Sequence, residues 1–500
     1  MGECGGRRVV RGPGECGGHV WAPAAEGFLR RTKIVCTIGP ASSSPEALDR
    51  LVTAGMDVAR LNFSHGTHAE HAEVIRAIRE GEAQWGRPIT ILQDLQGPKV
   101  RLGTFVGGQA TLVTGEPFAL TAREVKGTAS RSSLNHPEFL AALRSGDPVW
   151  MDDGMIQLAV EAVADGEVRC RVVSGGVVSD HKGVSFPRLP VPVSCLAPKD
   201  REDLRFGIEQ AADYVAISFV RSAADIQEVR KFLHDQGANI PIIAKLERAE
   251  IVANLQGVLP LVDAVMVARG DLGVEVPLED VPIIQKDVIR QARLAKVPVI
   301  VATQMLESMV THSRPTRAEV SDVATAIFDG ADAIMLSAET ATGRFPVETV
   351  QVMARIAERA ERAAPTTGAS RPRPEAYGFP EAVAEAACQA ARLLHAKAIV
   401  AFTQSGFSAR LISQDRPEVP IMALTPYSEV QRRLGLFWGV SSRLVHKVET
   451  TDEMIQEVEA TLLADGTVRN NDVIVIISGA PMWVTGTTNL LKLHRVGDRR

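Results

Sequence analysis

Eight short apolar runs, each handing over to charged or hydroxyl residues at its carboxyl end, constrain this chain more than any other feature. They are Lys33–Ile38, Val58–Leu61, Ile89–Leu92, Tyr214–Ile217, Ile242–Ala244, Ala264–Ala268, Val299–Ala302 and Ala333–Leu336. Each is too short for a helix and mostly bounded by turn signals, so each predicts a fully buried strand. Helical patterns lie between them. Ser44-Pro45-Glu46 supplies a cap, a proline at the first helical position and a first-turn acid. Val74, Ile75 and Ile78 share one face over residues 67–83, as do Val281, Ile284, Val288 and Ala292 over 278–292. Alternating β and α units with right-handed crossovers predict an α/β fold, the (β/α)8 TIM barrel. The polar residues that follow the strands then meet at one rim.

Two strand ends carry the strongest chemistry: Lys245-Leu246-Glu247 and Arg269-Gly270-Asp271. Glu247 and Asp271 suit a hard divalent cation, because Mg²⁺ takes one or two carboxylates and completes its octahedron with water and substrate oxygens. Lys245 stands beside them as a fixed positive charge. Taken singly, these residues also fit a helix start and an ordinary turn. The pattern recurs, however, with Arg60, Asn62, Ser64 and His65 after the second strand and Asp94 after the third. Ser218, Thr303-Gln304 and Ser337-Ala338-Glu339 continue it, and a rim accounts for all of them at once.

Five hundred residues predict about three domains. Between Asp94 and about Ala197 the βα rhythm breaks into short alternating runs (Val149–Asp152, Ile156–Val163, Val168–Val173). This predicts a small inserted β-barrel lid, residues 98–193, over the rim of a barrel built from 31–97 and 194–366. Within it Asp152 reads as a hairpin turn, while Asp153 either shares that turn or faces the site. A Pro/Thr/Arg/Gly-rich stretch after Ala364 marks a boundary before a C-terminal α/β domain at 376–500. There, Thr403-Gln404-Ser405-Gly406-Phe407-Ser408 leads into a helix, either as a plain capping loop or as an anion pocket. Residues 1–30, Gly/Arg-rich with Cys4 and Cys16, read as a disordered leader without a signal-peptide core. The six cysteines are scattered and read as reduced thiols of a cytoplasmic protein. A net charge of −5 and the absence of a long apolar run give no reason to expect nucleic acid or membrane as partner.

The chain resembles the pyruvate kinases. The likeness rests on Lys33-Ile34-Val35-Cys36-Thr37-Ile38-Gly39-Pro40, Arg60-Leu61-Asn62-Phe63-Ser64-His65-Gly66, Lys245-Leu246-Glu247, Met266 to Gly273, Ala302-Thr303-Gln304-Met305-Leu306-Glu307 and Met335-Leu336-Ser337-Ala338-Glu339-Thr340. It runs from about residue 31 to the end. The resemblance implies phosphoryl transfer from phosphoenolpyruvate to ADP, the last step of glycolysis, then protonation of the enolate to pyruvate. It implies that Glu247 and Asp271 hold Mg²⁺, with Mn²⁺ the alternative, and that Lys245 neutralises the moving phosphoryl group. Arg60 and Arg101 would grip phosphate oxygens, Gly270 and Thr303 the substrate carboxylate, and Asn62, Ser64 and His65 would border the nucleotide. The enolate proton would come from Thr303 or, preferably, from water held near Ser337 and Glu339, since a threonine hydroxyl is a poor acid.

Three further implications concern regulation and ions. The family suggests a homotetramer. Its C-terminal domain suggests a phosphorylated effector at Thr403, Ser405, Gly406 and Ser408 with the Gly486-Thr487-Thr488-Asn489 turn, leaving sugar phosphate and nucleotide both open. Many members hold K⁺ on groups matching Asn62, Ser64, Asp94 and the Leu95 carbonyl, with glutamate at the place of Lys99. Here Lys99 is either a solvated hinge residue or a built-in substitute for that ion, and the second reading predicts that K⁺ is not required.

Overall fold

The computed structural model describes residues 30–152, 154–164, 166–187, 189, 194–363, 378–481 and 486–498. The leader before residue 30, Asp153 and the stretch after Ala364 lie outside the described residues. Strands β1 (Lys33–Ile38), β2 (Val58–Asn62), β3 (Thr90–Asp94), β4 (Tyr214–Ile217), β5 (Ile242–Leu246), β6 (Ala264–Ala268), β7 (Val299–Ala302) and β8 (Ala333–Leu336) close into one parallel barrel. β1 closes it, pairing on one side with β2 (Val35 opposite Val58) and on the other with β8 (Lys33 opposite Ala333). The sequence pattern thus located every barrel strand.

Burial on both faces explains why these strands are continuously apolar. Val35, Leu92, Ile243, Met266, Ile300 and Met335 fill the barrel, while Ile34, Cys36, Ile242, Val265 and Val301 meet the surrounding helices. The helix His68–Trp85 begins with a reciprocal cap between Thr67 and Glu70 and buries Val74, Ile75 and Ile78. In Val281–Leu294 the buried face is Val281, Gln285, Val288, Ile289 and Ala292, with Ile284 at its margin.

Between β3 and β4 the chain makes the lid. Its main sheet runs, in spatial order, Val184–Ser185, Pro148–Met151, Ile156–Ala164, Glu167–Ser174, Pro117–Thr121 and Arg131–Ser133. A two-stranded ribbon pairs Gly176–Ser179 with Gln109–Leu112. The lid has an apolar core of its own, including Phe105, Phe118, Phe139 and Phe186. Asp152, at φ +51°, does lie in the turn between two strands, where its carboxylate meets Lys182 at 2.6 Å.

The C-terminal domain is a five-stranded sheet ordered Val440–Leu444, Ile421–Thr425, Ala398–Phe402, Val473–Gly479 and Thr488–Arg495. The two outermost strands escape sequence reading because edge strands carry polar residues (Val440-Ser441-Ser442-Arg443-Leu444) and no continuous apolar run. Thr488 and Asn489, expected in a turn, instead begin the antiparallel edge strand. This domain plugs the floor of the barrel. Apolar side chains of the barrel interior continue into Ile399, Leu411, Ile412 and Leu436 as one cluster. Polar groups stitch the seam: Lys33 Nζ donates to the Val440 carbonyl at 2.8 Å, Tyr214 Oη to that of Arg433 at 3.0 Å, and Arg416 meets Asp332 at 2.9 Å.

Near that floor Asp57 accepts the Ile34 N–H at 2.9 Å and pairs with Arg30 at 2.8 Å and Arg87 at 3.1 Å. Burial alone would raise its pKa, but Arg30, Lys33 and Arg87 outweigh that and hold it well below the ordinary 3.8. The folded state therefore binds fewer protons than the unfolded chain at acid pH. The contribution is complete above the unfolded value and lost as pH falls through the folded one. Asp57→Asn is expected to cost about 3–5 kcal/mol at pH 7, since it leaves buried cations without their partner. Denaturant melts of both proteins should show the gap narrowing below about pH 4; a gap independent of pH would refute the assignment.

Candidate active site

At the carboxyl rim, charge alternates around a buried lysine. Lys245, at the end of β5, reaches Glu247 Oε1 at 2.6 Å and Asp94 Oδ1 at 3.4 Å, and donates to Ser218 Oγ at 2.7 Å. Asp94 ends β3 and also takes the Arg60 Nε–H at 2.6 Å; Arg60 in turn donates to Thr37 Oγ1 at 2.9 Å. Strands β1 to β5 thus each contribute at or near their carboxyl ends, as a barrel requires of residues far apart in sequence.

Burial would drive Lys245 toward neutrality, yet Asp94, Glu247 and Asp271 raise its pKa above the ordinary value, so it stays an ammonium. Asp94 shows the same contest: burial opposes its charge, and Lys245 and Arg60 hold its carboxyl below the usual range. For Glu247, burial wins; helped by Asp271, it pushes the carboxyl upward despite Lys245. A divalent cation would relieve that repulsion.

The residues fit such an ion. Glu247 is 3 % exposed and its second oxygen accepts the Phe219 N–H at 3.0 Å. Asp271 stands half-buried in the first turn of the short helix Arg269–Glu275. Asp94 Oδ1 is buried, and its partner there is Lys245 at 3.4 Å. No cluster of three His, Cys, Asp or Glu is found among the described residues, so two carboxylates would need oxygens from a substrate or water, the preference of Mg²⁺.

On the opposite arc Thr303 follows β7. Its Oγ1 accepts the Gly270 N–H at 2.8 Å and donates to the Ala302 carbonyl at 2.6 Å, while Arg269 Nη2 donates to the Thr303 carbonyl at 2.8 Å. Thr303 (φ +70°), Gln304 (φ +55°) and Phe219 (φ +59°) all adopt left-handed backbone, which is unfavourable for a β-branched or bulky residue. Such strain persists where surrounding structure fixes it, commonly at functional sites.

The other sequence candidates scatter around this centre. Asn62 Oδ1 accepts the Ser64 N–H at 3.2 Å, and His65 donates its N–H to the Asn62 carbonyl at 3.2 Å. Partial burial, then the charges of Arg101, Lys99 and Arg60, lower the His65 pKa; these cations therefore surround the loop. Arg101 Nη1 donates to the His181 carbonyl at 3.0 Å, inside the lid. Lys99 lines the cleft that Glu247 and Asp271 face. The Leu95 carbonyl accepts from Ser218 Oγ at 2.8 Å. Glu339 is fully buried and both its oxygens accept backbone N–H groups, from Leu306 at 3.2 Å and Ser337 at 2.7 Å; Ser337 Oγ is buried without a partner. At the far end of the molecule, Thr403 Oγ1 accepts the Gly406 N–H at 3.0 Å, Ser408 Oγ meets Thr488 Oγ1 at 2.6 Å, and Ser405 is exposed. Sequence reading passed over Thr37 and Phe219. Thr37 had a signal in its place at the polar end of a buried strand, whereas the contribution of Phe219 is a backbone N–H and left no trace in residue type.

A rim that gathers ammonium, guanidinium and carboxylate groups suits the class of enzymes that move phosphoryl groups by positioning and electrostatics. Residues 29–350 match the family "Pyruvate kinase, barrel domain", and residues 381–494 match "Pyruvate kinase, alpha/beta domain". The pyruvate kinase of Corynebacterium efficiens is 45 % identical over 94 % of this chain and 98 % of its own length. That of Mycobacterium tuberculosis is 44 % identical over 94 % of this chain and 99 % of its own. A crystal structure of a pyruvate kinase from Cryptosporidium parvum superposes with a TM-score of 0.87 at 34 % identity, covering 93 % of this chain and 96 % of that one. The chain belongs to the pyruvate kinase family, and it is a phosphotransferase. Among the described residues no helix is long and apolar enough to cross a membrane.

Ser218 links Lys245 to the Leu95 carbonyl. Removing one hydrogen bond to a charged group costs about 1.5–3 kcal/mol, so Ser218→Ala should lower kcat roughly 10-fold to 100-fold. Steady-state kinetics with a melting curve test this; unchanged kcat would free Lys245 from any need for the serine.

Proposed function

We propose that this chain transfers the phosphoryl group of phosphoenolpyruvate to ADP, giving pyruvate and ATP, at the β1–β8 rim. The observation that carries this reading is the buried Lys245 ion-paired between Asp94 and Glu247. An ammonium fixed there can neutralise charge as it develops on the transferred group, at no reorganisation cost. Glu247 and Asp271 would hold Mg²⁺, which when bound offers Lewis-acid stabilisation to the same oxygens. Arg60, anchored by Asp94 and Thr37, presents its remaining N–H groups to phosphate oxygens. The Gly270 turn and Thr303 would receive the substrate carboxylate. Asn62, Ser64, His65 and Arg101 would border the nucleotide phosphates, where the positive field around His65 favours them. The proton reaches the enolate carbon through water at the unpartnered Ser337 hydroxyl, with Glu339 fixing the loop that carries it.

Lys245→Met should reduce kcat by about 10²-fold or more while substrate binding falls less, because its contribution is greatest in the transition state. Near-normal turnover by this variant in an ATP-forming assay would remove Lys245 from the mechanism and with it this reading.

Lys99 supports activity without K⁺. It lines the same cleft as Glu247 and Asp271. Two unit charges a few Å apart interact by about 4 kcal/mol at an effective dielectric near 20, enough to replace a bound monovalent ion. Rates in buffer containing only a large organic cation should match those with K⁺, and Lys99→Glu should become K⁺-activated. Strong stimulation of the unmutated protein by K⁺ would return Asn62, Ser64, Asp94 and Leu95 to the role of ion ligands.

Two further parts of the reading concern regulation. The loop Thr403–Ser408 presents an exposed Ser405 and the free N-terminus of helix Phe407–Gln414, a setting for a phosphorylated effector. Ile283 and Phe328, 68 % and 54 % exposed on helices joined by the Lys286–Asp329 ion pair, support assembly of copies into a homotetramer.

A further inference from the structure

The chain leaves the barrel for the lid through Leu95-Gln96-Gly97-Pro98 and returns through Ser194-Cys195-Leu196-Ala197. One carboxylate clamps both passages. Asp200 Oδ1 accepts the Gly97 N–H at 3.0 Å, and Oδ2 accepts the Ala197 N–H at 2.9 Å. Asp200 is fully buried in the first turn of helix Pro198–Glu209. Its bond to Ala197 is half of a capping box; alanine has no hydroxyl with which to complete the box. The remaining oxygen is thereby available to the outgoing passage.

Gly97 in turn is pressed against the site. It adopts φ +69°, and a Cβ there would lie 2.8 Å from Phe219 Cδ2 and 3.0 Å from Ser218 Cβ. Those two residues hold the catalytic charges: Ser218 accepts from Lys245, and the Phe219 N–H donates to Glu247. On its other side Gly97 leads within four residues to Lys99 and Arg101, and its carbonyl accepts the Lys99 N–H at 2.8 Å. Leu95, Cys195 and Leu196 are buried in the barrel layer, so the clamp sits where each passage parts from that layer.

We propose that Asp200 is a positioning residue for phosphoryl transfer: it ties the two lid passages into one hinge and seats Gly97 on Ser218 and Phe219, setting where Lys99 and Arg101 stand relative to Lys245 and Glu247. The inference rests on the nucleotide being bound between lid and rim, as proposed above. On that reading the two substrates differ: Arg60, Lys245, Gly270 and Thr303 of the barrel receive phosphoenolpyruvate, whereas ADP also meets Arg101 of the lid.

Asp200→Asn keeps the shape but turns an N–H₂ group toward one of the two donors. A displacement of about 1 Å at a site can cost 10²-fold, so kcat/KM for ADP should fall about 10-fold to 100-fold while KM for phosphoenolpyruvate stays within about 3-fold. The Gly97 amide should also exchange its hydrogen faster. Gly97→Ala reaches the same hinge from outside the carboxylate; because its Cβ also crowds Ser218 and Phe219, kcat should fall too while KM for ADP rises more than that for phosphoenolpyruvate, and it carries the test if Asp200→Asn does not fold. Combined, the two substitutions should cost little more than the worse one alone, because they break one device. Kinetic constants for both substrates close to those of the unmutated protein, equal losses for the two, or effects that multiply would each overturn the proposal. An unmutated protein that makes no ATP would overturn the reaction assigned above instead, and exchange at Gly97 would still report on the clamp.

Discussion

Everything at the rim depends on keeping an ammonium charged where it is almost wholly buried. Lys245 can be buried only because Asp94 and Glu247 flank it, and they can be buried only because Lys245 and Arg60 compensate them. Each ion is therefore a condition for the others. Removing any one leaves an uncompensated charge in a low-dielectric pocket, which costs far more than a surface pair would. The barrel makes such a set feasible, because closed strands deliver side chains from distant sequence positions to one end with little backbone freedom left.

The same closure explains the strain nearby. Positive φ at Phe219, Thr303 and Gln304 points backbone N–H and carbonyl groups where ordinary loop geometry would not. Phe219 uses its N–H to hold Glu247, and the Thr303 carbonyl anchors Arg269, itself fixed to Asp322 at 2.7 Å. Conformational cost at three residues is thus offset by packing and hydrogen bonds on both sides of the metal-type carboxylates.

How much was legible in the sequence follows from what each feature depends on. The barrel strands were visible because burial on both faces demands unbroken apolar runs, and Lys245, Glu247 and Asp271 stood out against them. The helix faces at Val74, Ile75 and Ile78 followed from spacing alone. Contacts made by backbone groups, such as Phe219 to Glu247, have no residue signature. Nor does the Asp200 clamp, because an aspartate at a helix start signals only its local bond to Ala197 and not the one to Gly97. The edge strands Val440–Leu444 and Thr488–Arg495 stayed hidden because one side of each faces solvent and carries polar residues.

The plugged floor has a consequence for what the barrel is as a unit. A typical barrel of this kind is a self-contained cylinder, with its own residues sealing the end away from the chemistry. Here the seal is borrowed: Lys33, Thr90, Tyr214 and Asp332 direct polar atoms at the C-terminal domain, and the interior side chains run straight into its core. The cylinder is not a portable module. Evolution could retune the far sheet, its loops and its edges freely, but could not discard or exchange that sheet wholesale without also rebuilding the base of the enzyme's catalytic half.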